Sequence, residues 1–256
     1  MSYINKLIKP LVFTELLRLL PTPKQKRLGR KRCSKEALLW GVLQVLKLGI
    51  PWSAINDTDC SYVSCYRYFK ELQRRGKLQL VYETLAREKT DISQGAIDTT
   101  TSTSFRFRAL TGWDGKHRKI GTKISLFTDI KGLPAGVSFG KGSKHDLRFI
   151  PNHLKKTAGT RKETLNLDKG YTSLELRRSS RDSGTLINME MRRGYYVAKR
   201  GPKFRFDRVK YKVRFLVERT NAWLKSFWRI RVRRDYKISM FKAFVYLALI
   251  IILIRS

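Results

Sequence analysis

Two aspartates occupy positions where a carboxylate needs a physical explanation. Asp98 lies inside the uncharged stretch Ala-Ile-Asp-Thr-Thr-Thr, where burial of a carboxylate is costly without a cation or hydrogen-bond partners. Asp168 ends the apolar run Leu-Asn-Leu, so we expect it at the C-terminal edge of a strand, where α/β sheets usually bind ligands. Taken singly, each aspartate also fits a cap or a turn.

A third acid belongs to a more specific pattern. Tyr211, Arg214, Glu218 and Lys225 have the spacing Y-x2-R-x3-E-x6-K, which puts them within roughly 60° of arc on one face of a regular helix. We expect the opposite face to be apolar and to pack on a sheet, with Val213, Leu216, Val217, Trp223, Leu224 and Phe227. The helix would then present Glu218 among three potential phosphate contacts. A plain amphipathic helix with a solvated polar side fits the same spacing.

The charge of the chain indicates a polyanionic partner. Its 256 residues include 55 lysines and arginines against 20 acidic residues, a net charge of +35. A compact chain with this charge repels itself unless a polyanion neutralises part of it, and nucleic acid is the obvious candidate. The chain is 42% hydrophobic and 11% aromatic, which excludes a disordered basic tail. On composition alone, a ribosomal or RNA-packaging protein remains an alternative.

The N-terminal part is predicted to be helical. Apolar spacing indicates a helix ending at Pro21, followed by a basic linker, and further helices from Ser34 to Gly49 and from Ser61 to Gly76, both serines being N-caps. Short helices of this kind suit a helix-turn-helix module. The last helix carries three basic side chains able to contact DNA, namely Arg67, Lys70 and Arg74. An ordinary helical bundle with a basic face fits equally well.

From Ala96 onward the pattern predicts a mixed α/β sheet. Strands are expected at 95–102, 123–128 and 133–139 as an antiparallel meander, then at 164–167 and 185–189. Helices are expected around 147–156, 173–183, 209–228 and 238–254. We therefore predict a helical domain over residues 1–90 and an α/β domain over residues 91–256.

Other features predict a cytoplasmic protein. The N-terminus lacks the apolar region of a signal peptide. The apolar run at 243–254 is shorter than the roughly 20 residues of a membrane helix, so we interpret it as a buried core helix, with a membrane anchor as the alternative. Cys33, Cys60 and Cys65 are odd in number and lack C-x-x-C spacing, which favours reduced cysteines.

The order of these motifs resembles the DDE transposases of bacterial insertion sequences. The residues that carry the resemblance are Asp98, Asp168 in Leu-Asp-Lys-Gly-Tyr, and the Tyr211, Arg214, Glu218 and Lys225 set, which is similar to that family's Y-R-E-K signature at every spacing. The likeness extends through Thr111-Gly112 to Lys123, Gly132-Leu133-Pro134, Lys144-His145-Asp146 and residues 217–224, over roughly residues 30 to 250. The threonines after Asp98 depart from the small Gly-Ser pair expected there.

This resemblance implies an RNase H-like catalytic domain preceded by a small helical DNA-binding domain. It implies that Asp98, Asp168 and Glu218 are the catalytic residues and hold two Mg²⁺ ions, with Mn²⁺ as a substitute, about 3.5 to 4 Å apart. It also implies DNA contacts by Tyr211, Arg214, Lys225, Lys119 and Lys123 beside those of the N-terminal helix. The expected partners are double-stranded DNA, as terminal repeats and target, and a second copy in a homodimer, with no membrane and a location at the bacterial nucleoid.

Two other functions remain open on the sequence. A related RNase H-like nuclease or resolvase would cut DNA in a metal-dependent way without strand transfer. A basic nucleic-acid-binding protein would bind many nucleic acids in a salt-sensitive way, without dependence on Glu218.

Overall fold

The computed structural model describes residues 8–23, 31–105, 108–156, 164–182, 184–190 and 206–255. The chain divides into two compact units. Unit 1 comprises Met1–Leu85, Ser102–Ala109 and Trp223–Ser256, and unit 2 comprises Ala86–Thr101 and Leu110–Ala222. The domain boundary predicted between residues 90 and 91 stays a prediction. Residues 24–30 of the predicted basic linker lie outside the described residues.

Helices dominate unit 1. They are α1 (Pro10–Leu19), α2 (Lys35–Leu48), α3 (Tyr62–Arg74), α4 (Lys77–Lys89, which ends in unit 2), α9 (Trp228–Arg231) and α10 (Ile238–Ile254), with the short strand β7 (Val232–Arg233). The predicted caps are present, since Ser34 accepts from the Ala37 amide at 3.1 Å and Ser61 from the Ser64 amide at 3.3 Å. Gly49 closes α2 in the left-handed conformation at φ +68°. The N-terminal helical region is confirmed, whereas its helix-turn-helix role stays a prediction.

The apolar C-terminal helix fills the core of unit 1. From Met240 to Leu253 almost every side chain of α10 is buried, as expected for a core helix, and the Phe244 ring stacks on Phe69 with centroids 4.2 Å apart. Among the described residues, no helix is long and apolar enough to cross a membrane. The prediction of three reduced cysteines is wrong for one pair. Cys33 and Cys60, with Cα atoms 5.8 Å apart, are joined as a disulfide, and Cys65 is a free buried thiol.

Unit 2 is built on a mixed sheet. Its strands are β1 (Gln94–Ser104, which ends in unit 1), β2 (Gly112–Asp114), β3 (Lys119–Asp129), β4 (Pro134–Lys141), β5 (Thr164–Leu167) and β6 (Leu186–Asn188). The sheet order is β2-β3-β1-β5-β6, with β4 also paired to β3. The pairs β2–β3 and β3–β4 are antiparallel, and β1–β5 and β5–β6 are parallel. The predicted mixed α/β architecture is confirmed.

In the described part of unit 2, four α-helices accompany this sheet. They are α5 (Ile150–Lys156), α6 (Leu174–Asp182), α7 (Arg208–Tyr211) and α8 (Val213–Lys225), the last of which ends in unit 1. An apolar core joins strands and helices through Ile97, Phe127, Ile150, Leu165, Leu167, Tyr171, Ile187 and Met189. This core fixes the two parallel strands whose ends carry the acids considered next.

Candidate active site

The register of two parallel strands brings Asp98 and Asp168 together. β1 and β5 pair from Gln94 with Thr164 to Ile97 with Leu167. Asp98 and Asp168 are the next residues in this register, and Asp168 has extended backbone angles (φ −66°, ψ 152°). Because neighbouring strands lie about 4.8 Å apart, the two carboxylates leave the same edge of the core side by side. The expected position of Asp168 after a strand is confirmed.

The third acid reaches this pair through an arginine. Arg214 and Glu218 lie one turn apart on α8, and the Arg214 guanidinium is 3.0 Å from Glu218 Oε1. The same Nη2 atom lies 3.6 Å from Asp168 Oδ2. The Arg214 side chain is 15% exposed, whereas Glu218 is 46% exposed. One guanidinium thus stands between two of the three predicted acids.

Asp98 has an environment that disfavours its charge. Burial raises the pKa of Asp98, although the Thr99 amide, the charges of Lys116 and Arg214 and the side chain of Asn221 act in the opposite direction. Asn221 donates from Nδ2 to Asp98 Oδ2 at 2.9 Å. A carboxylate in this state is stabilised by any cation that approaches it.

Tyr211 and Arg214 form a pair beside the acids. The Arg214 guanidinium lies 5.9 Å from the centre of the Tyr211 ring, within the range of a cation–π interaction. Burial would lower the pKa of Arg214, but the charges of Asp168, Glu218 and Asp98 together with Tyr211 raise it. Burial raises the pKa of the Tyr211 hydroxyl. Both side chains therefore stay protonated and can donate to an anionic substrate.

A ladder of buried amides positions the segment that carries Tyr211. Asn166 on β5 donates to the Gly95 carbonyl at 3.2 Å and accepts from Asn188 on β6 at 2.8 Å. Asn188 also donates to the Asp207 carbonyl at 2.8 Å and accepts from the Asp207 amide at 2.9 Å. Asp207 then caps α7 by accepting from the amides of residues 209 and 210. Side-chain hydrogen bonds therefore connect the start of α7 to β6, β6 to β5, and β5 to β1.

The β3–β4 turn positions the helix that carries Glu218. Thr220 donates to the Gly132 carbonyl at 2.6 Å, and Arg219 donates to the Lys131 carbonyl at 2.9 Å. Gly132 has φ +85°, and a Cβ atom there would lie 3.0 Å from Leu216 Cβ. The turn can therefore approach α8 this closely only with glycine at residue 132.

The predicted single helix over 209–228 and its apolar face are wrong in detail. The i→i+3 hydrogen bonds at Lys212 and Phe215 tighten the chain, so Tyr211 belongs to α7 and the uniform 100° spacing fails there. The buried positions of α8 are Val217, Thr220, Asn221 and Leu224, whereas Trp223 is 41% exposed. Hydrogen bonds of Thr220 and Asn221 allow this polar face to be buried.

The basic residues predicted to contact DNA differ in exposure and belong to different units. Lys119 is partly exposed at the start of β3. Lys123 is buried and donates to Asp146 at 2.7 Å and to the Lys144 carbonyl at 2.9 Å. Lys225 ends α8 and belongs to unit 1, as do Arg67, Lys70 and Arg74, which are exposed along α3. All these DNA contacts stay predictions.

Sequence reasoning missed several residues of the site. One of them is Tyr171, which is buried near the acids. Burial, and then the charges of Asp98, Asp146 and Asp168, raise the pKa of its hydroxyl well above the ordinary value. The sequence predicted no contact for Asn221, yet its side chain donates to Asp98. The sequence signals were the positions themselves, Tyr171 three residues after Asp168 and Asn221 three residues after Glu218.

The donor chemistry of the site fits a hard divalent cation. Asp98, Asp168 and Glu218 offer carboxylate oxygens, which Mg²⁺ and Mn²⁺ prefer, and burial of Asp98 leaves charge to be compensated. Within the described parts of the chain, no three His, Cys, Asp or Glu side chains are grouped closely enough to hold a metal ion. The compensating charge in this arrangement is the Arg214 guanidinium.

Comparison with known families places these residues in context. A family model described as "Transposase DDE domain" matches residues 89–254, and one described as "Putative transposase of IS4/5 family" matches residues 12–82. The first match contains Asp98, Asp168 and Glu218 and covers more than half of the chain.

Individual relatives and a solved structure are also similar. "Insertion element IS402 uncharacterized 16.2 kDa protein" of Burkholderia cepacia is 35% identical over 104 residues, which cover 35% of this chain and 71% of the relative. "Putative transposase for insertion sequence element IS402" of the same organism is 29% identical over 136 residues, 50% of this chain and 60% of the relative. The chain thus spans less than two thirds of that second relative.

A piggyBac transposase, solved in a synaptic complex with hairpin DNA, superposes with a TM-score of 0.53 over 98% of this chain and 72% of that chain. At 11% identity, this likeness concerns the fold alone. The family matches agree with the mixed sheet, its flanking helices and the helical N-terminal region. The chain therefore belongs to the DDE-domain transposases of bacterial insertion sequences, whose catalytic fold is RNase H-like.

Proposed function

We propose that this chain binds the ends of its insertion element and performs metal-dependent DNA cleavage followed by strand transfer. The arrangement of the three acids relative to Arg214 carries this proposal. The β1–β5 register puts Asp98 beside Asp168, and Arg214 links Asp168 to Glu218. A surface helix with a solvated polar side would give no reason for the contact of Arg214 with Asp168.

Asp98, Asp168 and Glu218 would hold two Mg²⁺ ions, or Mn²⁺ in their place. When bound, such ions activate the attacking oxygen and stabilise the leaving oxygen of an in-line displacement at phosphorus. Water is the nucleophile in the cleavage that frees a 3′-hydroxyl, and that hydroxyl is the nucleophile in strand transfer. No covalent bond between the chain and DNA is needed for either step.

Arg214 has two roles in this proposal. Without DNA and metal, its guanidinium compensates Asp168 and Glu218 at 3.6 and 3.0 Å. With those carboxylates holding a divalent ion, the Arg214 guanidinium would be free to bind a phosphate oxygen. Tyr211 keeps the guanidinium near the acids during this exchange, because the cation–π contact involves no carboxylate.

The remaining proposed contacts come from basic side chains, of which Lys123 is buried and bound to Asp146. Lys119, Lys123 and Lys225 would contribute to binding near the cut, and Arg67, Lys70 and Arg74 on α3 would bind the terminal repeats. Two element ends must be brought together for transposition, so we propose a homodimer. The substrate is chromosomal DNA, which in bacteria places the reaction in the cytoplasm.

The test uses purified protein with labelled duplex DNA that carries the sequence flanking its gene. Reactions contain Mg²⁺, Mn²⁺ or EDTA, and the chain is compared with Glu218→Gln. We expect nicking at a fixed position, joined products in the presence of either metal, and loss of both in the variant and in EDTA.

Glu175→Gln is the matched control, because Glu175 is an exposed acid on α6 of the same unit. It should cut and join as the unaltered chain does. Cutting without joining would favour a nuclease or resolvase. Salt-sensitive binding without any cutting would refute the catalytic proposal and favour a DNA-binding protein.

A further inference from the structure

A short basic turn lies at the tip of the β2–β3 hairpin. The two strands are antiparallel, with Asp114 opposite Lys119, so that residues 115–118 form the turn, Gly-Lys-His-Arg. Lys116, His117 and Arg118 are all exposed, and the turn contains no acidic side chain. Arg118 has φ +49°, a left-handed conformation that is uncommon for a long side chain.

Asp114 organises this turn from beneath. Its side chain is 1% exposed and accepts from the amides of Lys116 at 3.1 Å and His117 at 3.3 Å, and it contacts the His117 ring at 2.9 Å. Thr101 on β1 donates to the same carboxylate. Burial alone would raise the pKa of Asp114, but the hydrogen bonds of Thr101 and His117 and the charge of Lys123 lower it. An ionised, buried carboxylate therefore fixes a turn whose exposed side chains are basic.

Close backbone packing also restrains the hairpin. A Cβ atom on Gly112 would lie 2.8 Å from Ser143 Oγ, and one on Gly142 would lie 2.2 Å from the Gly112 carbonyl oxygen. The hairpin therefore rests directly on the segment that leads into Asp146. Such a restrained cationic turn loses little conformational entropy when an anion binds to it.

The turn is tied to the strand that carries Asp98. Thr101, which bonds to Asp114, is three residues after Asp98 on β1, or about 10 Å along a strand. Through Asp114, the turn that carries Lys116 and Arg118 is therefore anchored to β1 close to the proposed cutting site.

We propose that the turn formed by Gly115–Arg118 is a DNA backbone site, in which Lys116 and Arg118 bind phosphates next to the one that is cut. The proposal rests on the DNA substrate proposed above. It names duplex DNA phosphates as the ligand, because the turn offers two long cationic side chains with no companion acid at the surface.

The test measures equilibrium binding of fluorescein-labelled duplex carrying the gene's flanking DNA, in EDTA, over a range of salt concentrations. The variant Lys116→Gln/Arg118→Gln is compared with Lys131→Gln/Lys155→Gln, which removes two exposed lysines from elsewhere in unit 2. If each side chain binds one phosphate, the slope of log affinity against log salt falls by about 1.8 in the turn variant. The control slope should stay within about 0.5 of the unaltered chain.

Neutral methylphosphonates placed at each backbone position then locate the contacts. We expect them to weaken binding of the unaltered chain at phosphates beside the cut and to have no further effect there in the turn variant. Equal salt slopes in the two variants, or no binding of duplex by the unaltered chain, would overturn the proposal. Because this binding assay contains no metal, its outcome does not depend on whether the chain cleaves DNA in the earlier assay.

Discussion

Replacement of Gly132 by alanine tests how the β3–β4 turn holds the helix with Glu218. The new residue must adopt φ +85°, and left-handed backbone costs a non-glycine residue roughly 1–2 kcal/mol. Its Cβ would lie 3.0 Å from Leu216 Cβ and 3.1 Å from Arg219 Nη2, an overpacking that costs roughly 1–3 kcal/mol. A stiffer unfolded chain offsets about 0.4–1 kcal/mol of this. We expect Gly132→Ala to lower the free energy of unfolding by about 1–4.6 kcal/mol.

Gly184→Ala separates the two costs. Gly184 has φ +71°, yet a Cβ atom there would meet nothing within 4 Å among the described residues. It should therefore lose about 1 kcal/mol, the backbone cost alone after the unfolded-state offset. Urea unfolding monitored by circular dichroism gives both values, with the transition of unit 2 fitted separately if two transitions appear.

The steric excess also predicts an effect on cleavage. Leu216 and Arg219 flank Glu218 on α8, and a displacement of about 1 Å at a reacting group can lower the rate about 100-fold. Gly184→Ala should cut at the rate of the unaltered chain under folding conditions. Equal losses of stability in both variants, with unchanged cleavage in both, would refute the idea that this turn fixes α8.

Three further predictions concern charges. Asp235→Asn leaves the guanidinium of Arg229 buried without its bidentate partner at 2.8 and 3.1 Å, so thermal unfolding of unit 1 should show a loss of about 3–5 kcal/mol. Tyr211→Ala should slow cleavage about 3- to 30-fold and Tyr211→Phe by less, because phenylalanine keeps the ring that holds Arg214 and loses only the hydroxyl that can donate to substrate, and comparison of initial rates checks this. The pKa of Asp98 is higher in the folded chain than the value of 3.8 in the unfolded chain. The contribution of Asp98 to the free energy of unfolding is therefore fully present below pH 3.8 and is lost as the pH rises through the folded-state pKa. Asp98→Asn should therefore raise the melting temperature at pH 7 but not at pH 3, while abolishing cleavage.

Local signals predicted much of the fold. Ser34 and Ser61 are N-caps and Gly49 is a helix end because each satisfies backbone groups next to itself in sequence. The helix over Ile238–Ile254 follows from an apolar run with no charged residue after Lys242. The strands of two residues at 232–233 and three at 112–114 escaped prediction, because so short a segment has no periodicity.

The site was predictable in residue type but not in arrangement. Periodicity placed Trp223 on the buried side of α8, yet Thr220 and Asn221 are buried there instead. Their polar atoms bind the Gly132 carbonyl and Asp98, which lie 88 and 123 residues away in sequence. The bond of Lys123 to Asp146 was likewise not predictable, because it depends on a fold that no local pattern encodes.

The acids of unit 2 differ in how they are held, and that difference separates structural from exchangeable carboxylates. Asp129 is fully buried and accepts from the amides of Asp91, Lys131 and Leu133, donors that move only if the backbone does. Asp114 is fixed in the same way by its own turn.

Asp168 and Glu218, by contrast, share one guanidinium on a long side chain, with one of the two contacts stretched to 3.6 Å. Asp98 is intermediate, because it accepts both from the side-chain amide of Asn221 and from the backbone amide of Thr99, and it remains partly accessible. A side-chain donor can rotate away at the cost of a few contacts, whereas a backbone donor cannot. Asp168 and Glu218 can therefore change partners without disturbing the sheet, as binding of a divalent cation would need.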